Sequence, residues 1–108
     1  MSLVAFEEST VVNGRHFEAY LNQDALYRDV LAVQHQTRRR LNILDFGCGP
    51  HGTGRMLLRN LKEPQDELHL YDPYANIEQP RVPNEFIATR QHVFGNNRIA
   101  FDIVNLSY

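Results

Sequence analysis

The sequence has 108 residues, 43% of them hydrophobic and 22% charged, and its 11 Lys and Arg stand against 13 Asp and Glu for a net charge of −2. This balance argues against a nucleic-acid or anionic-membrane surface, because such partners select a strongly basic face. The single cysteine excludes an internal disulfide framework, and neither a membrane span nor a signal peptide is recognisable. These properties predict one globular domain, residues 1–108, in the cytoplasm.

The first 40 residues predict a helical extension. Between residues 15 and 40 the apolar side chains recur at spacings of three and four, with an interruption near Asp24, which suits the cap of a second helix. We therefore expect two helices, or one bent helix, ahead of the first strand. The basic run at residues 38–40 lies at a helix end, where cations complement the helix dipole, so we interpret it as a solvated surface.

The most informative stretch is residues 41–54, which read LNILDFGCGPHGTG. Its apolar first half predicts a buried strand of a parallel sheet over residues 41–46. The glycines that follow, among them Gly47, Gly49 and Gly52, permit a tight turn and a close approach of the backbone to a ligand. Residues 53–62 have apolar and basic side chains at helical spacing. A strand, a glycine loop and a helix N-terminus in this order are how nucleotide-containing cofactors are held.

Three more strands are predicted after this unit. Residues 67–72, ELHLYD, alternate apolar and polar side chains and end on an acid, Asp72. A third strand is expected within residues 85–94, after a proline-rich irregular stretch, and a turn follows at Asn96. Residues 99–108, which end in FDIVNLSY, predict a buried fourth strand. Strands separated by helices or long crossovers imply an α/β fold with a parallel, doubly wound sheet.

Two cofactor classes compete for the glycine loop. Gly47, Gly49 and Gly52 fit the G-x-G-x-x-G dinucleotide fingerprint. Asp72 suits the ribose-binding acid of that fold, so a fragment of an NAD-dependent oxidoreductase is one alternative. Asp45, two residues before the first glycine, separates the two classes. Its carboxylate would repel a pyrophosphate and would favour a ligand that carries positive charge, such as a sulfonium and an ammonium.

The glycine loop and two later segments resemble one known family. The stretch ILDFGCGPHG resembles motif I of the class I S-adenosylmethionine-dependent methyltransferases, YDP at residues 71–73 resembles their acidic second motif, and FDIVNLSY is similar to their fourth strand. The resemblance covers residues 41–108 and implies a Rossmann-like parallel sheet of strand order 3-2-1-4. It also implies S-adenosylmethionine as the cofactor and transfer of its methyl group to a small-molecule acceptor.

The resemblance assigns roles to residues of the loop. It implies that the backbone of Gly47, Cys48 and Gly49 passes close to the methionine and ribose portions of the cofactor. It further implies that Asp45 orients this loop and interacts, directly or through water, with the amino group of the cofactor.

The resemblance also assigns residues of the later strands. Asp72 would accept hydrogen bonds from the ribose hydroxyls, while Pro73 and Tyr74 would flank the adenine. Asn96 stands where the family often supplies a contact to the adenine amine. Two residues at the end of the fourth strand would line the methionine side: Leu106 and Ser107.

Two features depart from the family pattern. The third glycine, Gly52, comes one residue late, and four strands are predicted where a complete domain of the family has seven. We therefore expect the apolar fourth strand to form an uncovered edge, which belongs to a longer enzyme or pairs with a second copy or a partner chain. A non-catalytic cofactor-binding module that assembles with a partner chain is consequently a further alternative.

No catalytic residue is identified from the sequence. Cys48 has no activating partner in the pattern, so we interpret it as part of the loop rather than as a nucleophile. The five histidines show no metal-ligand spacing, and no metal is expected. Asp102 is interpreted as a residue that fixes the start of the fourth strand rather than as a general base.

Overall fold

The computed structural model describes residues 17–18 and 23–106, which form a parallel sheet with helices packed against it. In chain order the elements are β1 (Phe17–Glu18), α1 (Gln23–Thr37), β2 (Asn42–Phe46), α2 (Thr53–Leu61), β3 (Glu67–Tyr71), β4 (Glu85–Ile87), α3 (Arg90–Phe94) and β5 (Ile103–Leu106). The strands lie in the order β1-β5-β2-β3-β4, and every neighbouring pair is parallel.

The four predicted strands and their order are confirmed. They correspond to β2, β3, β4 and β5, and the order β4-β3-β2-β5 is the expected 3-2-1-4 arrangement of a Rossmann-like α/β fold. The glycine loop connects the carboxyl end of β2 to α2, as the pattern of residues 41–62 predicts. From β2 the chain adds β3 and then β4 on one side, and it later places β5 on the other side of β2. The boundary between β2 and β5 is therefore a topological switch point, where open α/β sheets bind ligands.

Two predictions about the N-terminal segment are wrong. One helix begins at Gln23, which makes Asp24 its second residue rather than a cap, and Phe17–Glu18 forms a strand instead of a helix. This strand, β1, pairs with β5 in parallel, with Phe17 opposite Val104. The edge of the fourth predicted strand is therefore covered along this register rather than open. An apolar strand edge is stabilised when its backbone groups are paired, and β1 supplies that partner from the same chain.

The core lies on both faces of the sheet. Since side chains alternate along a strand, Ile43 and Leu44 of β2 point to opposite faces. Ile43 packs with buried Val30, Val33 and Leu58 of α1 and α2, and Leu44 packs in a separate cluster with Val93 of α3. Asp45 therefore shares the face of Ile43, beneath the helix that follows the glycine loop.

Acids fix the amino ends of the strands. The Leu41 N–H donates to Asp66 Oδ1 and the Asn42 N–H donates to Asp102 Oδ2, each at 2.9 Å. Arg39 forms an ion pair with Asp102 at 2.6 Å. Asp102 directly precedes β5, as predicted, but its carboxylate binds Arg39 and the first residue of β2 rather than the backbone of its own strand. The basic run at residues 38–40 is only partly a solvated surface, because Arg39 is held here although its side chain is 55% exposed.

Candidate functional site at the carboxyl end of the sheet

The glycine loop turns sharply at the end of β2. Gly47 and Gly49 have φ values of 77° and 69°, a left-handed conformation that a side chain disfavours. The Gly47 N–H donates to the Tyr71 carbonyl at 2.7 Å, which ties the loop to the end of β3. A Cβ atom on Gly49 would meet no atom within 4 Å, so open space lies in front of the backbone there.

Gly52 serves a different purpose from Gly49. A Cβ atom at Gly52 would lie 2.3 Å from the Cys48 carbonyl oxygen, so this position is closed by backbone packing. Gly52 immediately precedes α2, and its missing side chain lets the helix start close to the loop. The loop therefore combines one glycine that opens toward solvent and one that permits close packing, the division found in cofactor-binding loops.

Asp72 follows β3 and is joined to the glycine loop. Its Oδ2 accepts the Gly49 N–H at 2.9 Å. Its Oδ1 accepts the N–H groups of Tyr74 at 2.9 Å and Ala75 at 3.1 Å. A carboxylate offers about four acceptor positions. Three of them are engaged by backbone, so Asp72 organises both the glycine loop and the turn that follows it.

A buried polar pair lies at the switch point between β2 and β5. Asp45 and Asn105 are opposite each other in the register of these strands, and Asn105 Nδ2 donates to Asp45 Oδ1 at 3.0 Å. Both side chains are buried. Asn105 was not predicted as a site residue, although a polar side chain inside the apolar run FDIVNLSY was the signal for it. Its amide holds the Asp45 carboxyl in place below the loop.

Cys48 is buried in the loop and is protonated at neutral pH. Burial, with a smaller contribution from the carboxylates of Asp45 and Asp72, raises the pKa of its thiol to about 12. The thiol lies 3.3 Å from the Gly49 carbonyl. Because the thiolate is the nucleophilic form, the raised pKa of Cys48 disfavours a nucleophilic role at neutral pH.

A buried ion-pair network that was not predicted from the sequence joins α2 to β4 beside the loop. Arg55 of α2 donates from Nε to Glu85 Oε1 at 2.5 Å, and Arg59 donates to both oxygens of Glu85 at 2.8 and 2.9 Å. Burial raises the pKa of Glu85, but the hydrogen bonds from Arg59 and Arg55 outweigh it and lower the pKa overall. The available signal was helical spacing, since Arg55 shares the face of buried Leu58.

The remaining predicted residues are not all brought to the loop. Pro73 is exposed, and Tyr74 directly after it is 80% exposed beside Asp72. Asn96 lies in the exposed turn after α3, whereas the carboxyl end of β4 leads into Ala88. The Leu106 side chain is buried in the core cluster on the α3 face, and Ser107 lies outside the described residues.

Other parts of the described structure add no competing site of this kind. Within residues 17–18 and 23–106, no group of three or more His, Cys, Asp or Glu side chains is arranged to hold a metal ion. In the same ranges no helix has the length and apolar character to cross a membrane. A cavity of about 560 Å³ opens between α1 and the α2–β3 connection, where Leu31, Arg38 and Gln65 contribute to its walls. It lies at the amino end of the sheet, opposite the glycine loop.

Comparison with known proteins returns no match: no family model, no curated protein and no solved structure is significantly similar to the chain.

Proposed function

We propose that the carboxyl end of the sheet binds S-adenosylmethionine and that the chain acts as a methyltransferase. The observation that carries the proposal is the hydrogen bond from the Gly49 N–H to Asp72, beside the open space in front of Gly49. A carboxylate that can accept ribose hydroxyls thus adjoins a stretch of backbone that a ligand can approach closely. The resemblance of residues 41–108 to the methyltransferase family supports the same ligand.

Charge at the switch point favours this cofactor over a dinucleotide. Asp45 is buried below the loop and is held by Asn105. A carboxylate at this position attracts the sulfonium and ammonium groups of S-adenosylmethionine, whereas it repels the pyrophosphate of NAD.

Asp72 and Tyr74 are the residues proposed to contact the adenosine part of the cofactor. Tyr74 is 80% exposed and offers an aromatic face on which an adenine can stack. Asp72 has about one acceptor position left after its three backbone bonds, while a ribose presents two hydroxyls. Binding of both hydroxyls therefore requires one backbone bond to open. The bond from Ala75 is the longest of the three, at 3.1 Å, so we expect the turn at residues 74–75 to move on binding.

Methyl transfer requires little chemical participation from these residues. The reaction is an in-line displacement at an activated sulfonium, so the protein contributes mainly orientation and a suitable electrostatic environment. A thiolate beside the sulfonium would itself accept the methyl group. The raised pKa of Cys48, about 12, keeps that thiol protonated and prevents this side reaction.

Calorimetric titration of the chain with S-adenosylmethionine and with NAD tests the proposal. We expect S-adenosylmethionine to bind and NAD not to bind. Asp72→Ala should weaken binding by about 1–3 kcal/mol, or about 5- to 150-fold in Kd, because buried hydrogen bonds are lost. Asp102→Ala is the matched control, since it removes an acid that also accepts a backbone N–H but lies at the other end of the sheet.

The outcomes separate the alternatives. Binding of NAD without S-adenosylmethionine would contradict the proposal and favour an oxidoreductase fragment. Equal losses in the two aspartate variants would show that the effect comes from folding rather than from the site. Binding without turnover across a panel of small-molecule acceptors would favour the non-catalytic module, and turnover restored by a second polypeptide would favour a divided enzyme.

A further inference from the structure

Arg55 connects three segments of the chain behind the candidate site. Besides its bond to Glu85, its Nη1 donates to the Glu78 carbonyl at 2.9 Å and lies 3.5 Å from the Pro50 carbonyl. The Glu78 N–H donates to the same Pro50 carbonyl at 2.9 Å. We call these bonds among Arg55, Pro50 and Glu78 the Arg55 clamp. It joins the glycine loop to the segment that follows Asp72.

Arg55 does more than neutralise Glu85. Arg59 already donates two hydrogen bonds to Glu85, so that carboxylate keeps a cationic partner without Arg55. Arg55 is 1% exposed, and its guanidinium has enough donors to bind a carboxylate and a carbonyl together. A lysine ammonium is a compact point charge and does not span the same set of acceptors.

We infer that Arg55 is a positioning residue for the adenosine half of the cofactor, an inference that rests on the proposed function. It is buried and lies behind the site, so it acts through the backbone that it holds. Residues 73–78 directly follow Asp72 and include Tyr74, the aromatic residue proposed to stack on adenine. Fixing Glu78 against Pro50 sets the distance between this segment and the glycine loop. An exposed contact of 2.6 Å between His51 Nδ1 and Glu78 Oε2 lies on the outer side of the same junction.

Arg55→Met and Arg59→Met form a matched pair that isolates the clamp. Each removes one guanidinium from Glu85 and leaves the other, but Arg55→Met alone releases the carbonyls of Pro50 and Glu78. The probes are S-adenosylmethionine and methylthioadenosine, which keeps the adenosine and lacks the amino acid. We expect Arg55→Met to raise Kd about tenfold for both ligands, the effect of losing a hydrogen bond to a charged group. Arg59→Met should change neither Kd by more than about twofold.

Hydrogen exchange at the Glu78 amide gives a readout that needs no ligand. We expect Arg55→Met to accelerate this exchange and Arg59→Met to leave it unchanged, because only the first variant loosens the Glu78–Pro50 bond. Arg55→Lys should keep the fold and show both effects in weaker form. If Arg55→Met fails to fold, Arg55→Lys carries the test.

The inference is overturned if a folded Arg55 variant binds both probes like the wild type, or if only S-adenosylmethionine is weakened. The first result denies a positioning role, and the second places the effect on the methionine side. If the wild type does not bind S-adenosylmethionine at all, the proposed function fails and this inference about the cofactor fails with it. Exchange at Glu78 would then still report whether the clamp holds the loop. The two failures are thus distinguishable.

Discussion

The two ends of the sheet use acids in different ways. At the amino end, Asp66 and Asp102 accept the N–H groups of Leu41 and Asn42 at the entrance to β2. At the carboxyl end, Asp72 accepts N–H groups from the glycine loop and from the turn at residues 74–75. The acids at the amino end bind backbone at the start of a strand, whereas the acid at the carboxyl end binds loop backbone beside open space.

This difference separates structural acids from candidate binding acids better than residue type does. The N–H groups bound to Asp66 and Asp102 lie where the chain enters β2, so replacing these acids should change stability. A loop N–H can exchange Asp72 for water or a ligand at small cost, because the loop is already at the surface. Replacing Asp72 should therefore change binding more than stability.

The largest expected effect comes from Glu85, an acid at the start of β4 and hence of the structural kind. Glu85→Ala leaves the buried Arg55 without its carboxylate, and removal of one partner from a buried ion pair costs roughly 3–5 kcal/mol. Urea denaturation measures the change in the free energy of unfolding. A loss below about 1 kcal/mol would contradict the assignment of Glu85 to the structural class.

The same carboxylate makes stability depend on pH. Hydrogen bonds from the two arginines lower the pKa of Glu85 in the folded state despite its burial. A group with a depressed folded pKa contributes stability that is complete above its unfolded pKa and is lost as the pH falls through the folded one. The advantage of the wild type over Glu85→Gln should therefore begin to shrink as the pH falls below the unfolded pKa of about 4.3 and should vanish below the folded pKa.

Two glycine substitutions should sharpen the comparison within the carboxyl end. Gly52→Ala puts a Cβ atom 2.3 Å from the Cys48 carbonyl and should destabilise the protein by about 1–3 kcal/mol. Gly49→Asn enters open space and keeps a residue type that tolerates a left-handed φ, so it should cost less than about 1 kcal/mol.

Gly49→Asn should nevertheless reduce S-adenosylmethionine binding, because its side chain occupies the space in front of the loop. Thermal unfolding and calorimetry on both variants separate the two effects. Unaltered cofactor binding in Gly49→Asn would show that the open space at this glycine is not the ligand site.

The smallest expected effect concerns Cys48. Cys48→Ala should leave cofactor binding and any turnover within about twofold of wild type, because a thiol with a pKa of about 12 supplies no thiolate at neutral pH. In the wild type, alkylation by iodoacetamide should speed up steadily as the pH rises from 8 toward 11. A plateau near pH 8 would mean that the thiol ionises normally and is open to a catalytic role.

The sequence predicts the central unit of the fold well because its signals are local. The apolar run before Gly47 and the spacing of residues 53–62 place β2 and α2 within one residue of their observed ends. The 3-2-1-4 order followed from the family resemblance and is confirmed. In the site, the tight turn at the glycines and the position of Asp72 at the end of β3 are likewise predicted by the pattern.

What the sequence does not reveal depends on contacts between distant residues. Aromatic Phe17 suits a helix face as well as a strand, and only its pairing with β5 decides between them. Arg55 looks like a solvated helix residue until Glu85, thirty positions later, lies beside it. Asn96 was assigned to the adenine contact by its position along the chain, but α3 separates the turn that contains Asn96 from the end of β4.

The place of β5 in the sheet has a consequence for how the protein is made. β5 is the last of the described strands to be synthesised, yet it lies inside the sheet, between β1 and β2. Asn105 must find Asp45 across a separation of 60 positions. β2, α2 and β3 leave the ribosome first, and the crevice beside the glycine loop has only one wall until residues 103–106 follow them.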